Sequence, residues 1–246
     1  MKFIDFHIFN RYVLWVCFVK CVIAYKDGDK VTLFVNKVGP YFNPHETYHY
    51  YELPVCRPKI IEHKSLTLGE VLDGDRMAKS LYDIKYLEKV SDRVLCDLIL
   101  SELEIQYLKE AIEENYYFEF VIDDIPVRDF VGHLEESGYL PHSHKVFLWT
   151  HNHFTFYYNE EKIIFVNTTK EHNPVSLDGI EAPLTVTPSF SVSWIPTSTP
   201  FKNRDALLQD NSFFPKSLEI HWLSVINSSV LVFLLICFVV IILVSP

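Results

Sequence analysis

Glycine is scarce in this sequence, with 7 residues in a chain of 246. The loops that cradle phosphate groups carry several glycines within a few positions, and no such loop occurs. The Gly-x-Ser-x-Gly turn that presents a catalytic serine is also missing. We therefore identify no catalytic residue, and we expect a protein that is not an enzyme, needs no cofactor and has no small-molecule substrate.

Positive charge is in the minority, with 22 lysine and arginine residues against 32 aspartate and glutamate residues and a net charge of −10. Proteins that bind nucleic acid or dock on anionic lipid present a basic surface. An acidic chain argues against both kinds of partner, so we expect no nucleic acid. Hydrophobic residues make up 49% of the chain, which is enough to fill a core and argues against disorder.

Two histidine pairs raise the question of a metal site. His142 and His144 are two residues apart, as are His151 and His153, and such pairs share one face of a β-strand. A zinc site needs three or four converging ligands, and the sequence specifies no such set around either pair. We expect no metal and interpret these side chains as solvated loop histidines. A titration of lumenal histidines in the endosomal pH range is the alternative.

Cysteine is infrequent, and only Cys56 and Cys96 lie outside the two apolar ends of the chain. In a secreted protein such a pair is typical of a disulfide. In the cytosol the same residues are ordinary buried thiols. The compartment decides between the two, and the ends of the chain indicate the compartment.

The longest uncharged stretch covers residues 222–244. As a helix it is about 35 Å long, against about 30 Å of hydrocarbon in a bilayer. We predict a transmembrane helix here, with the lipid bilayer as its partner. Asn227, Ser228 and Ser229 lie inside this stretch, and polar groups at such positions hydrogen-bond to other helices. We expect all three to contact neighbouring membrane helices; the alternative is that they lie among the lipid headgroups.

Residues 1–24 have the pattern of a secretory signal peptide, with basic residues first, an apolar run at 12–19 and a cleavage point after Ala24. An acidic residue before the run and a lysine directly after it weaken the pattern. The alternative is an uncleaved anchor, although the run is short for a membrane span. Cleavage of a signal peptide places residues 25–221 in the lumen or outside the cell.

A lumenal body has two chemical consequences. The first is that a disulfide between Cys56 and Cys96 is expected. The second is that Asn167, in the sequence Asn-Thr-Thr, becomes an acceptor for N-glycosylation. Asn227 lies in a similar sequence, but it is inside the predicted span, where the glycosyltransferase does not reach it.

The body between the two ends predicts mainly β structure. Short runs rich in β-branched and aromatic residues, such as 30–38 and 116–122, are typical of strands, and turn residues separate them. Residues 101–115 predict one amphipathic helix, which begins with a capping box of Ser101 and Glu104.

These elements define a domain plan. We expect an antiparallel β-sandwich with one amphipathic helix over residues 25–195. Within it, the alternation over 81–90 predicts a half-buried strand. Residues 196–221 are polar and contain proline, so we predict a linker and juxtamembrane segment before a single transmembrane helix at 222–244.

Four longer segments resemble one protein family. They are VNKVGPYFNPHETYHYYELPVC at 35–56, HKSLTLGEVLDGDRMAKSLYDIKY at 63–86, YYFEFVIDDIPVRDFVGH at 116–133 and FFPKSLEIHWLSVINSSVLVFLL at 213–235. Together they resemble the nonaspanins, the transmembrane 9 superfamily, over most of the chain. The resemblance implies a cleaved signal, a large β-rich lumenal domain and nine membrane helices. This sequence stops after the first of those helices, and we interpret it as a truncated member.

The resemblance also implies a function. It implies residence in the Golgi, endosome, lysosome or autophagosome and a role in sorting client transmembrane proteins, with a link to autophagy and no catalytic residue. Lumenal cysteines in the family match Cys56 and Cys96, and a glycosylation signal matches Asn167. The alternative function is a type I glycoprotein ectodomain that binds a lumenal or extracellular ligand.

Overall fold

The computed structural model describes residues 24–136, 144–170, 174–180, 182–214 and 222–244. The predicted signal peptide, up to residue 23, lies outside the described residues. The described chain divides after Asp210 into two units. Each unit is described by itself.

The first unit is mainly β, as predicted. Numbered along the chain, the strands are β1 (Lys30–Val31), β2 (Leu33–Pro40), β3 (Tyr48–His49), β4 (Ala78–Lys79), β5 (Ile84–Lys85), β6 (Val90–Val94), β7 (Leu98–Leu100), β8 (Tyr116–Ile122), β9 (Ile125–Phe130), β10 (Gly132–Glu136), β11 (His144–Leu148), β12 (His151–Asn159), β13 (Lys162–Thr169), β14 (Val175–Ser176), β15 (Leu184–Val186) and β16 (Ser189–Pro196). The helices are α1 (Leu68–Leu72), α2 (Glu102–Glu113), α3 (Arg204–Asp210) and α4 (Trp222–Val244), with 3₁₀ turns at Tyr50–Glu52 and Phe201–Asn203.

Two sheets dominate this unit. The larger has the strand order β3-β2-β8-β9, with β4 also paired to β2, and the second has the order β13-β12-β16-β6. The pairs are antiparallel except for β12 and β16, which run parallel in continuous register from His151 with Ser189 to Tyr158 with Pro196. We expected an antiparallel sandwich, and this one pair differs because the chain between β12 and β16 is long enough for a crossover connection.

Aromatic side chains join the two sheets across the core. The rings of Phe120 in the larger sheet and Phe154 in the second sheet are 6.3 Å apart. Tyr82 lies among them, with its ring centroid 5.5 Å from Phe120, 5.4 Å from Phe154 and 5.1 Å from Phe190. Phe120, Phe154 and Phe190 are at most 1% exposed, so the sheets share one apolar core.

The predicted amphipathic helix is present as α2. The backbone N–H and hydroxyl of Ser101 both donate to the Glu104 carboxylate, at 2.9 and 2.7 Å, which forms the expected capping box. Ile105, Leu108 and Ile112 are buried on its inner face. The body also contains the short helices α1 and α3.

The predicted strand at 81–90 is only partly correct. Tyr82, Ile84 and Tyr86 are buried, as the alternation indicated. However, between residues 81 and 89 only Ile84 and Lys85 pair with another strand, β1, and Val90 already belongs to β6. Leu87 has a φ of 59°, a left-handed conformation that ends extended structure. The alternation in the sequence therefore predicts which residues are buried, but it does not predict the strand boundaries.

Cys56 and Cys96 form a disulfide in the structure, across a sequence separation of 40. Cys56 follows the 3₁₀ turn that leaves the larger sheet, and Cys96 lies between β6 and β7. The bond therefore connects the chain that leaves one main sheet with the chain that leaves the other.

The first part of the segment after β16 is structured. Residues 201–210 form the second 3₁₀ turn and α3 and belong to the first unit. Arg204 is only 8% exposed, and its Nη1 lies 3.2 Å from Oδ2 of Asp123 in the β8–β9 turn, while its Nη2 donates to the Asp123 carbonyl. Burial raises the pKa of Asp123, and the Arg204 charge opposes that shift. The polar composition of this segment gives no sign of the contact, because the partner of its one arginine is 81 residues away in sequence.

Replacing Arg204 by alanine is expected to lower the free energy of unfolding by roughly 3 kcal/mol, because Asp123 remains buried without its partner. The control is Lys79→Ala, which removes an ion pair with Glu62 whose side chains are 61% and 60% exposed. That variant is expected to lose less than about 1 kcal/mol. Denaturant unfolding followed by tryptophan fluorescence measures both, and equal losses would show that Arg204 does not hold α3 to the body.

Replacing Cys56 and Cys96 together by serine is expected to cost roughly 3–4 kcal/mol of stability, because the unfolded chain regains the entropy of the open loop. Non-reducing peptide mass spectrometry of the unaltered protein should find the two residues joined. Cys237→Ser, in α4, is the control and should leave unfolding of the body unchanged. Two free thiols in the unaltered protein contradict this expectation.

Candidate functional site

The second unit contains the membrane-helix candidate. Helix α4 spans Trp222–Val244, and its segment Val225–Val244 is 20 residues long and has no buried residue. Among the described residues it is the one helix long and apolar enough to cross a membrane. A helix that is apolar on all sides is stable in the hydrocarbon of a lipid bilayer.

The polar trio near the start of α4 is spread around the helix axis. Consecutive helical residues are about 100° apart around the axis, so Asn227, Ser228 and Ser229 cover more than half of the circumference. The Ser229 hydroxyl donates to the Val225 carbonyl at 2.8 Å, a bond that satisfies it within the helix. Asn227 and Ser228 are exposed, and the structure shows no hydrogen bond from the Asn227 carboxamide to any described residue. Asn227 is therefore the strongest candidate for contact with another helix.

Asn167 lies near the end of β13, an edge strand of the second sheet. It pairs with Thr155 of β12, and its side chain is exposed. Val166, its neighbour, is 3% exposed and faces the core, so Asn167 points to the outer face of the sheet. Thr169, which completes the glycosylation signal, is also exposed. This geometry leaves room for a glycan.

A ladder of hydrogen bonds covers the same outer face. The two ring nitrogens of His151 each lie 2.8 Å from a hydroxyl, one of Ser189 and one of Ser191. The ring nitrogens of His153 lie 2.6 Å from the Ser191 hydroxyl and 3.0 Å from that of Ser193. The parallel pairing of β12 and β16 creates this ladder, because it sets the two sequences side by side in the same direction.

The expectation of solvated loop histidines is wrong for the second pair. His151 is 3% exposed and begins a strand, whereas His142 lies outside the described residues. His144 is exposed, with its Nε2 3.2 Å from Oε1 of Glu113. The missed signal was alternation: the serines around Phe190 occupy every second position and need polar partners across the sheet.

Sequence reasoning also missed a motif. His45, Glu46 and His49 match the His-Glu-x-x-His spacing of zinc peptidases. That chemistry needs the motif on a helix, where both histidines share a face. Here the chain is not helical and His49 lies in β3, while the Glu46 carboxylate accepts a 2.5 Å hydrogen bond from the Tyr48 hydroxyl. The described part of the chain holds no group of three or more histidine, cysteine or acidic residues placed to bind a metal.

Comparison with known proteins gives consistent matches. A family model described as "Endomembrane protein 70" matches residues 47–245. "Transmembrane 9 superfamily member 1" of Rattus norvegicus is 56% identical over 228 residues, 92% of this chain and 39% of that protein. "Transmembrane 9 superfamily member 3" of Arabidopsis thaliana is 40% identical over 214 residues, 86% of this chain and 36% of that protein.

A further match is the Dictyostelium discoideum protein named "Putative phagocytic receptor 1b", 40% identical over 217 residues, which are 88% of this chain and 36% of that protein. The chain thus spans about two fifths of the length of the curated relatives that it matches. The superfamily members among them are named as transmembrane proteins and not as enzymes. No solved structure matches the chain.

Glycosylation at Asn167 is expected to be visible as a mobility shift on treatment with a glycosidase, because the exposed side chain lies in the predicted lumenal part. Asn167→Gln should abolish the shift. Asn227→Gln is the matched control, because it removes the second sequence match, which lies in α4, and should leave the shift unchanged. An unaltered protein without any shift contradicts both the glycan and the lumenal placement.

Proposed function

Because the chain belongs to the endomembrane protein 70 family, which includes the transmembrane 9 superfamily, we propose that it acts in sorting or trafficking other membrane proteins, without enzymatic chemistry. Its place of action in this proposal is the Golgi, endosome, lysosome or autophagosome, and its function there is linked to autophagy. The family membership is the observation that carries the proposal. The lipid bilayer and client transmembrane proteins are its partners.

The proposed orientation places residues 25–221 in the lumen, after removal of residues 1–24 as a signal peptide. The disulfide between Cys56 and Cys96 supports this side, because such bonds persist in oxidising compartments. The exposed position of Asn167 is compatible with the same side.

Client recognition in this proposal takes place in the membrane. Asn227 is the fifth residue after Trp222, so it lies about 7–8 Å further along the helix. If Trp222 lies at the membrane interface, the carboxamide is within the hydrocarbon, where a hydrogen bond to a polar group of a client helix satisfies it. Ser228 offers a second, adjacent contact.

Binding of a lumenal ligand is the second candidate function. The name of the Dictyostelium discoideum relative describes a receptor, which is the observation that favours it. The cavity beside Cys56, which Tyr50, Tyr82 and Asn152 also line, has a volume of about 70 Å³. Small-molecule sites are typically 300–1,000 Å³, so this cavity is too small to be one. The ligand in this second proposal is a macromolecule that contacts the surface of the body.

Replacing Asn227 by leucine is expected to reduce co-purification of client membrane proteins in mild detergent by roughly 3- to 15-fold, the value of one interhelical hydrogen bond. Ser229→Ala is the matched control, because the Ser229 hydroxyl is already bonded within α4. Membrane insertion of both variants is checked by carbonate extraction.

The result also separates the two functions. Client recovery that is unchanged in Asn227→Leu contradicts recognition through this helix. If the same partners are then lost when the outer face of the second sheet is altered, for example by Thr155→Arg, the lumenal surface is the binding site.

A further inference from the structure

An aromatic side chain lies two residues before the glycosylation signal. Phe165 and Asn167 are both in β13, and the register with β12 is regular between them, pairing Phe165 with Tyr157 and Asn167 with Thr155. Side chains two residues apart on a strand point to the same face, about 7 Å apart at their Cα atoms. The Phe165 ring is therefore next to the Asn167 side chain on the outer face of the sheet.

Phe165 is part of a small apolar patch. Its ring centroid is 6.0 Å from that of Tyr157, with a tilt of 41° between the planes. Tyr157 pairs in turn with Ile195 of β16, which is 41% exposed. Both rings are half-buried. The patch is apolar surface on an otherwise polar face, and it lies to one side of Asn167.

On the other side of Asn167, the surface of the sheet is polar. There the face carries His153 and Ser191, whose polar atoms are already bonded to each other. A sugar placed on that side competes with an existing hydrogen bond. A sugar placed over Phe165 instead covers the part of this half-buried ring that is still exposed to water.

We propose that the first N-acetylglucosamine attached to Asn167 packs the C–H face of its ring against Phe165, with Tyr157 supporting that ring from the next strand. A pyranose has an apolar face and a hydroxyl rim, so it covers an aromatic ring while its rim stays in water. The glycan is then a structural part of this face of the body. The inference rests on the lumenal placement under the proposed function, which exposes Asn167 to glycosylation.

The covalent step is ordinary N-glycosylation. The Asn167 side-chain nitrogen attacks the anomeric carbon of a lipid-linked oligosaccharide. A carbon–nitrogen bond forms, the diphosphate lipid leaves with the bonding electron pair, and the amide loses one proton. No oxidant or reductant takes part.

The test is a cycle of variants of the complete chain in detergent micelles. The four proteins are the unaltered chain, Phe165→Ala, Asn167→Gln and the double variant, and thermal unfolding of the body is followed by tryptophan fluorescence. Replacing Asn167 by glutamine removes the glycan. This change should lower the melting temperature by about 2–4 °C more when residue 165 is phenylalanine than when it is alanine. Phe42→Ala is the control, because this ring is 81% exposed and lies in a turn of the other sheet; there the glycan effect should equal that of the unaltered chain.

Enzymatic trimming locates the effect along the glycan. An endoglycosidase that leaves one N-acetylglucosamine on Asn167 should keep the full stabilisation, because only the first sugar reaches Phe165. If trimming removes the stabilisation, the contact involves outer sugars and the proposal is wrong.

Two further outcomes are distinguishable. A glycan whose removal has the same effect with and without Phe165 overturns the packing contact, while glycosylation and topology stand. A protein that carries no glycan at all, seen directly from its mobility, overturns the lumenal placement and the packing contact together.

Discussion

The structure depends on the contact of aromatic side chains between two sheets. Tyr82 lies in an irregular segment, yet its ring touches Phe120 of one sheet and both Phe154 and Phe190 of the other. Neither sheet can bury its apolar face without the other. The disulfide also connects the two sheets, because it links the chain segments that leave them. One apolar layer between two sheets therefore organises the whole first unit.

Polar side chains on the outer faces of both sheets form hydrogen bonds with each other. On the larger sheet, the buried Asn36 side chain donates to Glu119 at 2.6 Å, and Glu119 pairs with Arg128. On the second sheet, the histidine–serine ladder serves the same purpose. A buried polar group is costly unless it is bonded, so these networks stabilise the faces without creating a reactive centre.

The elements that could be predicted are those whose signal is local. The capping box predicts α2, continuous hydrophobicity predicts α4, and the β-rich run Tyr116–Ile122 predicts β8. Long-range pairing left no local signal. The parallel partner of β12, the burial of His151 and the ion pair of Arg204 all depend on residues far away in sequence. The zinc-peptidase spacing at His45 shows the converse: the local motif is present, but the chain around it is not helical, so its histidines do not share the helix face that this zinc site needs.

The register of the larger sheet also determines when its strands can pair during synthesis of the chain. Leu33 of β2 pairs with Ile122 of β8, and at about 5–20 residues per second β2 waits roughly 4–18 s for this partner to be made. Phe154 and Phe190 emerge later still. Cys56 and Cys96 are closer in sequence, so their bond can close before either large sheet exists. The nascent chain thus passes through a stage with a closed covalent loop and an unpaired strand edge, the kind of surface that chaperones shield from aggregation.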